Sequence, residues 1–150
     1  MSIQRFVDAQ QQDYKRAYAE VAAGNKQSHW MWYIFPQIHS LGYSQTSKYY
    51  AIKSTKECEK YLQDEYLRSN LVNLCNVLLD LSTSNAEEIF GGVDAVKLCS
   101  CMTLFDFVYT NNVYLQQLVG TNVFDKVLSK YFDGSRCDRT LLILQQEIAL

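Results

Sequence analysis

Helical punctuation is the strongest constraint on what this chain can fold into. Ser54-Thr55-Lys56-Glu57 and Ser84-Asn85-Ala86-Glu87 are both capping boxes, in which a hydroxyl takes the N–H three residues on and a carboxylate can reach back. Apolar residues between such signals recur at helical rather than alternating intervals. Ile3, Val7, Tyr14, Ala17, Tyr18 and Val21 mark a helix over residues 3–23, with Ser2 as N-cap and Gly24-Asn25 as its stop. Leu67, Leu71, Leu74, Cys75, Leu78 and Leu79 mark another over 65–81.

The same reading places a short helix at 44–52, one from the first capping box to about Gln63, and one from the second that Gly91-Gly92 stops. Asp94 can cap a helix of about residues 95–110. Its face of Ala95, Leu98, Met102, Phe105 and Tyr109 is backed by Cys101, Leu104 and Val108, and a helix apolar on most sides belongs in the middle of a domain. Val113 to Tyr131 makes one helix or two, broken near Gly120-Thr121, and a last helix runs over about 139–148. Neither a period-2 strand nor an internal repeat is apparent. The expectation is an all-α fold: a single domain over 1–150, built as a compact orthogonal bundle of about seven or eight helices. A chain of 150 residues buries roughly 68–70% of its unfolded surface, enough for a core without a staple.

Five scattered cysteines, Cys58, Cys75, Cys99, Cys101 and Cys137, with no secretory leader ahead of them, read as reduced thiols of a cytoplasmic protein. Apolar runs fall well short of the roughly 20 residues that span a bilayer, so no membrane is expected. A net charge of −2 argues against a general nucleic-acid binder.

Within that frame one segment stands apart. Residues 21–56 hold both tryptophans, both histidines and the single proline, but no Asp or Glu. Of the fourteen Lys and Arg, four lie here (Lys26, Lys48, Lys53 and Lys56), leaving ten to face all sixteen acidic residues elsewhere. A cationic, aromatic segment on an acidic protein suits a planar anion. Before Pro36 the tryptophan segment has room for only a single turn followed by a loop. On such a turn His29, Trp32 and Tyr33 project as neighbours, so Trp32 can stack on a ring while His29 supplies a hydrogen bond or a proton. The Gln37 amide can read the edge of a base or sugar. Lys48 and Lys53 flank Ser47, Tyr49 and Tyr50, a mixture of cations, hydroxyls and rings of the kind that holds phosphate.

Each assignment has a plainer counterpart. Trp30, Met31 and Phe35 can be packing alone, and single lysines are usually solvated. Lys97, Ser100 and Thr103 are polar on an otherwise apolar helix, where a polar group must be hydrogen-bonded or face a pocket; Asp94 and Lys97 can equally pair locally. Cys99-Ser100-Cys101 with His29 and His39 lacks the paired spacing of a zinc site, so no metal is expected, and inert buried thiols are favoured over a cysteine nucleophile assisted by His29. Phosphate-loop, nucleophile-elbow and zinc-protease signatures are not found, and no cofactor is implied.

Arg5-Phe6-Val7-Asp8-Ala9-Gln10, Ser28 to Trp32, Phe35-Pro36-Gln37, Tyr50-Ala51-Ile52, Ala86 to Gly91, and Lys97 with Met102 to Phe105 together resemble the family called domain of unknown function 1810. The resemblance covers nearly the whole chain and implies a compact all-α domain, with no established activity. The label calpastatin-like, sometimes attached to the family, implies a disordered inhibitor, which a chain 48% hydrophobic with amphipathic helices does not resemble. Cys99 and Cys101 stand where the family is expected to favour arginine and a small residue, which implies that neither thiol is a general catalytic group. The composition is also similar in kind to YbiA-like N-glycosidases, an analogy that carries over no residue.

The expected function is therefore binding of a phosphorylated nucleotide or sugar phosphate, a small anionic ligand. The pocket would use Trp32, Gln37, Lys48, Tyr50, Lys53, Lys97 and Thr103, with His29 as the catalytic acid, base or orienting group. Metal-independent hydrolysis of an N-glycosidic bond is the reaction such a site suggests. The alternative is a non-catalytic protein-binding module with a Trp/Tyr-rich surface.

Overall fold

Ser2 Oγ takes the N–H of Gln4 at 3.2 Å, so the first helix, α1 (Gln4–Ala22), begins beyond the serine with Ile3 at the formal cap position. The computed structural model describes residues 2–149. Gly24, at φ +70°, closes α1 as expected. Its N–H meets the Val21 carbonyl at 2.9 Å, and Asn25 N–H meets Glu20 at 2.9 Å.

Two one-turn helices follow, α2 (Met31–Ile34) and α3 (Gln45–Tyr50). The loop after α2 and the segment after α3 are joined by a single parallel bridge between Ile38 and Ile52. There His39 N–H meets the Ile52 carbonyl at 2.9 Å, and Ile52 N–H meets the Gln37 carbonyl at 2.8 Å.

At the first capping box Ser54 Oγ takes the Glu57 N–H at 3.1 Å and opens α4 (Thr55–Gln63). The return arm goes elsewhere. The Glu57 carboxylate accepts from Lys53 N–H at 2.9 Å and pairs with the Arg5 guanidinium at 2.8 Å, both side chains being at least nine-tenths buried. Arg5 also donates to the carbonyls of Tyr49 (2.8 Å) and Ala51 (2.9 Å), which ties α1 to the C-terminal end of α3.

Asp64 caps α5 (Glu65–Asp80) through the Leu67 N–H at 3.0 Å. The second capping box sits one residue later than its signature. Asn85, not Ser84, is the N-cap of α6 (Ala86–Thr110) and takes the Glu87 N–H at 3.0 Å, while the Thr83 hydroxyl bonds to both Asn85 N–H and Glu88. The two expected helices meet at Gly91, whose φ 78°, ψ 164° is not helical and is open to glycine; the first stops there as expected, and α6 continues beyond the kink. Asp94 therefore lies inside the helix and caps nothing. The chain ends with α7 (Val113–Val119), α8 (Val123–Phe132) and α9 (Asp138–Ala149), with Gly120 between the first two as expected.

The fold is all-α. Among the described residues there are nine helices, seven of them at least seven residues long. Both one-turn elements fall where the sequence places a single turn before Pro36 and a short helix at 44–52. Helix α6 packs against α4, α7, α8 and α9, while α1 packs on α5 and α2. Phe105 of α6 is fully buried, its ring centroid 5.2 Å from Tyr61 and 5.7 Å from Phe124. Phe90 stands edge-on to Phe35 at 5.8 Å and to Trp30 at 6.5 Å, anchoring the tryptophan segment to the first half of α6. Trp30, Met31 and Phe35 are thus packing residues. All five cysteines are free, and no described helix is long and apolar enough to cross a membrane.

Candidate ligand site

The acid-free segment is organised by the acid just before it. Glu20, in the last turn of α1, accepts from the N–H of Gln27 (2.7 Å) and of Ser28 (2.9 Å), from Ser28 Oγ (2.6 Å) and from the Trp30 indole (2.9 Å). Desolvation pushes its carboxyl up, but those bonds from Ser28, Gln27 and Trp30 outweigh it and bring the group down to about 2. With Ser28 and Trp30 both turned to Glu20, His29 between them is left exposed. The helical turn starts at Met31, after His29, so His29 does not share a face with Trp32.

One carboxylate on α6 then ties down both tryptophans. Asp94 pairs with Lys26 at 2.8 Å and with Lys97 at 3.0 Å; Lys26 Nζ lies 4.9 Å from the Trp30 ring centroid and Lys97 Nζ 3.8 Å from that of Trp32. Desolvation raises the Asp94 carboxyl, and the two lysines more than offset this, holding it below its ordinary value.

Beyond Trp32 the loop 37–42 and α3 enclose a pocket of about 80 Å³, lined by Trp32, Gln37, His39, Lys48, Tyr50 and Lys53 among others. Its shape depends on two backbone features. Ser40 is held at φ 71°, uncommon for a residue with a side chain, and its hydroxyl lies 2.7 Å from His39 Nδ1. Gly42 passes so close to α3 that a Cβ there would sit 2.5 Å from Ser47 Oγ. Lys53 Nζ donates to the Lys48 carbonyl at 2.6 Å, and neither lysine forms an ion pair among the described residues. The Tyr50 ring is packed against Tyr33 at 5.0 Å and Tyr49 at 4.8 Å, so it walls the pocket more than it offers a face.

Trp32, Gln37 and Leu41 also line a second groove of about 340 Å³, which continues to Val93, Val96, Lys97, Ser100, Cys137 and Arg139. No carboxylate lines either space.

Five of the expected site residues, Trp32, Gln37, Lys48, Tyr50 and Lys53, therefore line one pocket, and Lys97 joins them across the Trp32 ring. Two do not. His29 lines neither space; the histidine in the pocket is His39. Thr103 is fully buried, its hydroxyl donating to the Cys99 carbonyl at 2.7 Å and accepting the Cys137 N–H at 2.9 Å. Of the four lysines in the acid-free segment, Lys26 is committed to Asp94, while Lys56 lies outside the pocket. His39, Ser40 and Gly42 carried a usable signal: a loop of small and polar residues just after the single proline.

A kinked central helix, an indole clamped by a lysine and, beyond it, two lysines without an ion pair among the described residues define a small all-α protein with a cation-flanked aromatic pocket. The chain belongs to the family described as proteins of unknown function, DUF1810, whose family model matches residues 1–144. It is similar to a solved structure, the conserved hypothetical protein Rv1873 from Mycobacterium tuberculosis, at 36% identity and a TM-score of 0.86, over 95% of this chain and 96% of that one. No curated protein matches it.

Proposed function

We propose that the protein binds a small anionic ligand, a phosphorylated nucleotide or sugar phosphate, across Trp32. What carries this reading is charge: Lys48, Lys53 and Arg139 line the two adjoining spaces with no ion pair among the described residues, Lys97 joins them while paired to Asp94, and no carboxylate lines either space. Size divides the roles. Ligand pockets usually measure about 300–1,000 Å³, so the 80 Å³ space suits one phosphate-sized group and the adjoining 340 Å³ groove the organic part. Lys48 and Lys53 meet the anion as point charges, with His39 and Ser40 as hydrogen-bonding partners. Lys97 occupies one face of Trp32, so a ligand ring would use the other face or the indole edge. Were an N-glycosidic bond also cleaved, the proton donor would come from His39, since His29 lies outside the pocket.

The protein-binding alternative draws on Tyr43 and Tyr49, which are 85% and 48% exposed, but Trp30 is buried and Trp32 half-buried, so the indoles do not form its surface.

A thermal-shift screen of nucleotides, ADP-ribose and sugar phosphates tests the proposal, because a ligand that binds only the folded state raises the melting temperature by mass action. Phosphorylated compounds should stabilise the wild type and His29→Ala alike, and lose their effect in Lys48→Met/Lys53→Met. Stabilisation by neutral sugars alone, or an undiminished phosphate effect in the double variant, would refute it.

A further inference from the structure

Ser100 and Thr103 are nearly or fully buried polar residues on the most apolar helix of the fold, and both turn to the same residue. Thr103 Oγ1 accepts the Cys137 N–H at 2.9 Å, and Ser100 Oγ donates to Cys137 Sγ at 3.3 Å. Cys137 stands at the head of α9: its carbonyl accepts the Leu141 N–H at 3.1 Å, the first intrahelical bond, which makes it the N-cap residue. Asp138, Arg139 and Thr140 follow it in the first turn of α9, where backbone N–H groups have no intrahelical acceptor. Thr140, in the first turn of α9, is fully buried and its hydroxyl has no hydrogen-bond partner among the described residues, an unspent donor beside the head of the helix.

This is a setting built for negative charge on sulfur, and it is reachable. Cys137 lines the groove it shares with Trp32, Lys97 and Arg139, and also a second cavity of about 490 Å³ with Cys99, Tyr131 and Phe132. The other thiols differ. Cys58, Cys75 and Cys101 are wholly buried, and Cys99 points its sulfur at the Ser135 carbonyl, an acceptor.

We infer that Cys137 is the reactive thiol of this protein and exchanges with small anionic disulfides whose charge meets Lys97 and Arg139. Burial alone would push the Cys137 thiol up; the bond from Ser100 and the donors at the start of α9 bring it below its ordinary value, whereas burial raises the other four. In the exchange, the Cys137 thiolate attacks one sulfur of the disulfide and a new S–S bond forms. The old one breaks, and the departing thiolate takes a proton from water. Cys137 is oxidised and the leaving sulfur reduced, with no other reactant. The adduct fills the groove beside Trp32 that the organic part of a bound ligand would use, so the two compete there, although exchange at Cys137 does not itself require an anion site at Lys48.

The test follows thiol exchange in the native protein with dithiobis(nitrobenzoate), which is dianionic, and with dithiodipyridine, which is uncharged. One thiol should react well ahead of the rest, and substoichiometric reagent should label the peptide containing Cys137. That fast phase should vanish in Cys137→Ser and persist in Cys99→Ser. Arg139→Gln should slow the dianion several-fold and leave the uncharged reagent unchanged. First labelling at another cysteine, or no fast thiol in the wild type, would overturn reactivity at Cys137. Equal slowing of both reagents by Arg139→Gln would overturn the preference for anions.

Discussion

Lys97 Nζ lies 3.8 Å from the centroid of the Trp32 ring, and that contact joins the central helix to the wall of the candidate pocket. Asp94 holds the lysine there while also holding Lys26 against Trp30. Replacing Asp94 by Asn should therefore disturb both indoles at once. Leaving two partly buried lysines short of a counter-charge costs about 1–3 kcal/mol. Lys97→Met should cost less, because Asp94 keeps Lys26. Urea denaturation of both variants checks the order; a larger loss for Lys97→Met would show that Asp94 is not the shared anchor.

Glu20 should make stability depend on acid. Its carboxyl lies at about 2 in the folded protein against an ordinary 4.5, so the folded state favours the charged form. The resulting stabilisation is complete above pH 4.5, shrinks as pH falls through that window, and is gone below about 2. Glu20→Gln should melt several degrees below wild type at neutral pH, with the gap narrowing on acidification. Melting curves across this range read the effect, and a gap that stayed constant would contradict the role given to Glu20.

Gly42→Ala should cost about 1–3 kcal/mol by overpacking, since the new methyl would sit 2.5 Å from Ser47 Oγ and 2.6 Å from Ser47 Cβ. Because Ser47 lies on α3, the same change should weaken any ligand held by Lys48. In a Ser47→Gly background the alanine should cost much less, a comparison that chemical denaturation of the four proteins makes directly.

What the sequence made legible follows from range. Gly24, Ser54, Gly91 and Gly120 act within a few residues of themselves, and the breaks they announce are where the structure has them. Pairings across the chain leave no local trace. Arg5 meets Glu57 across 52 residues, and Ser100 meets Cys137 across 37; each residue read alone suggested something different. Glu57 looked like a capping-box acid and Ser100 like a pocket hydroxyl. Residues 21–56 hold no acid, yet the carboxylate that shapes the segment is Glu20, one position outside it. His29 lies outside the pocket for the same reason, because Glu20 holds Ser28 and Trp30 on either side of it.

Backbone amide NMR of the protein titrated with ADP-ribose, ribose phosphate and uncharged ribose tests the anion pocket most directly. Phosphorylated ligands should shift amides in the pocket loop and α3, from Gln37 to Lys53, together with those of Val93 to Ser100 across Trp32, and uncharged ribose should not. Shifts confined to other surfaces, or equal shifts with uncharged ribose, would contradict an anion site at Lys48 and Lys53.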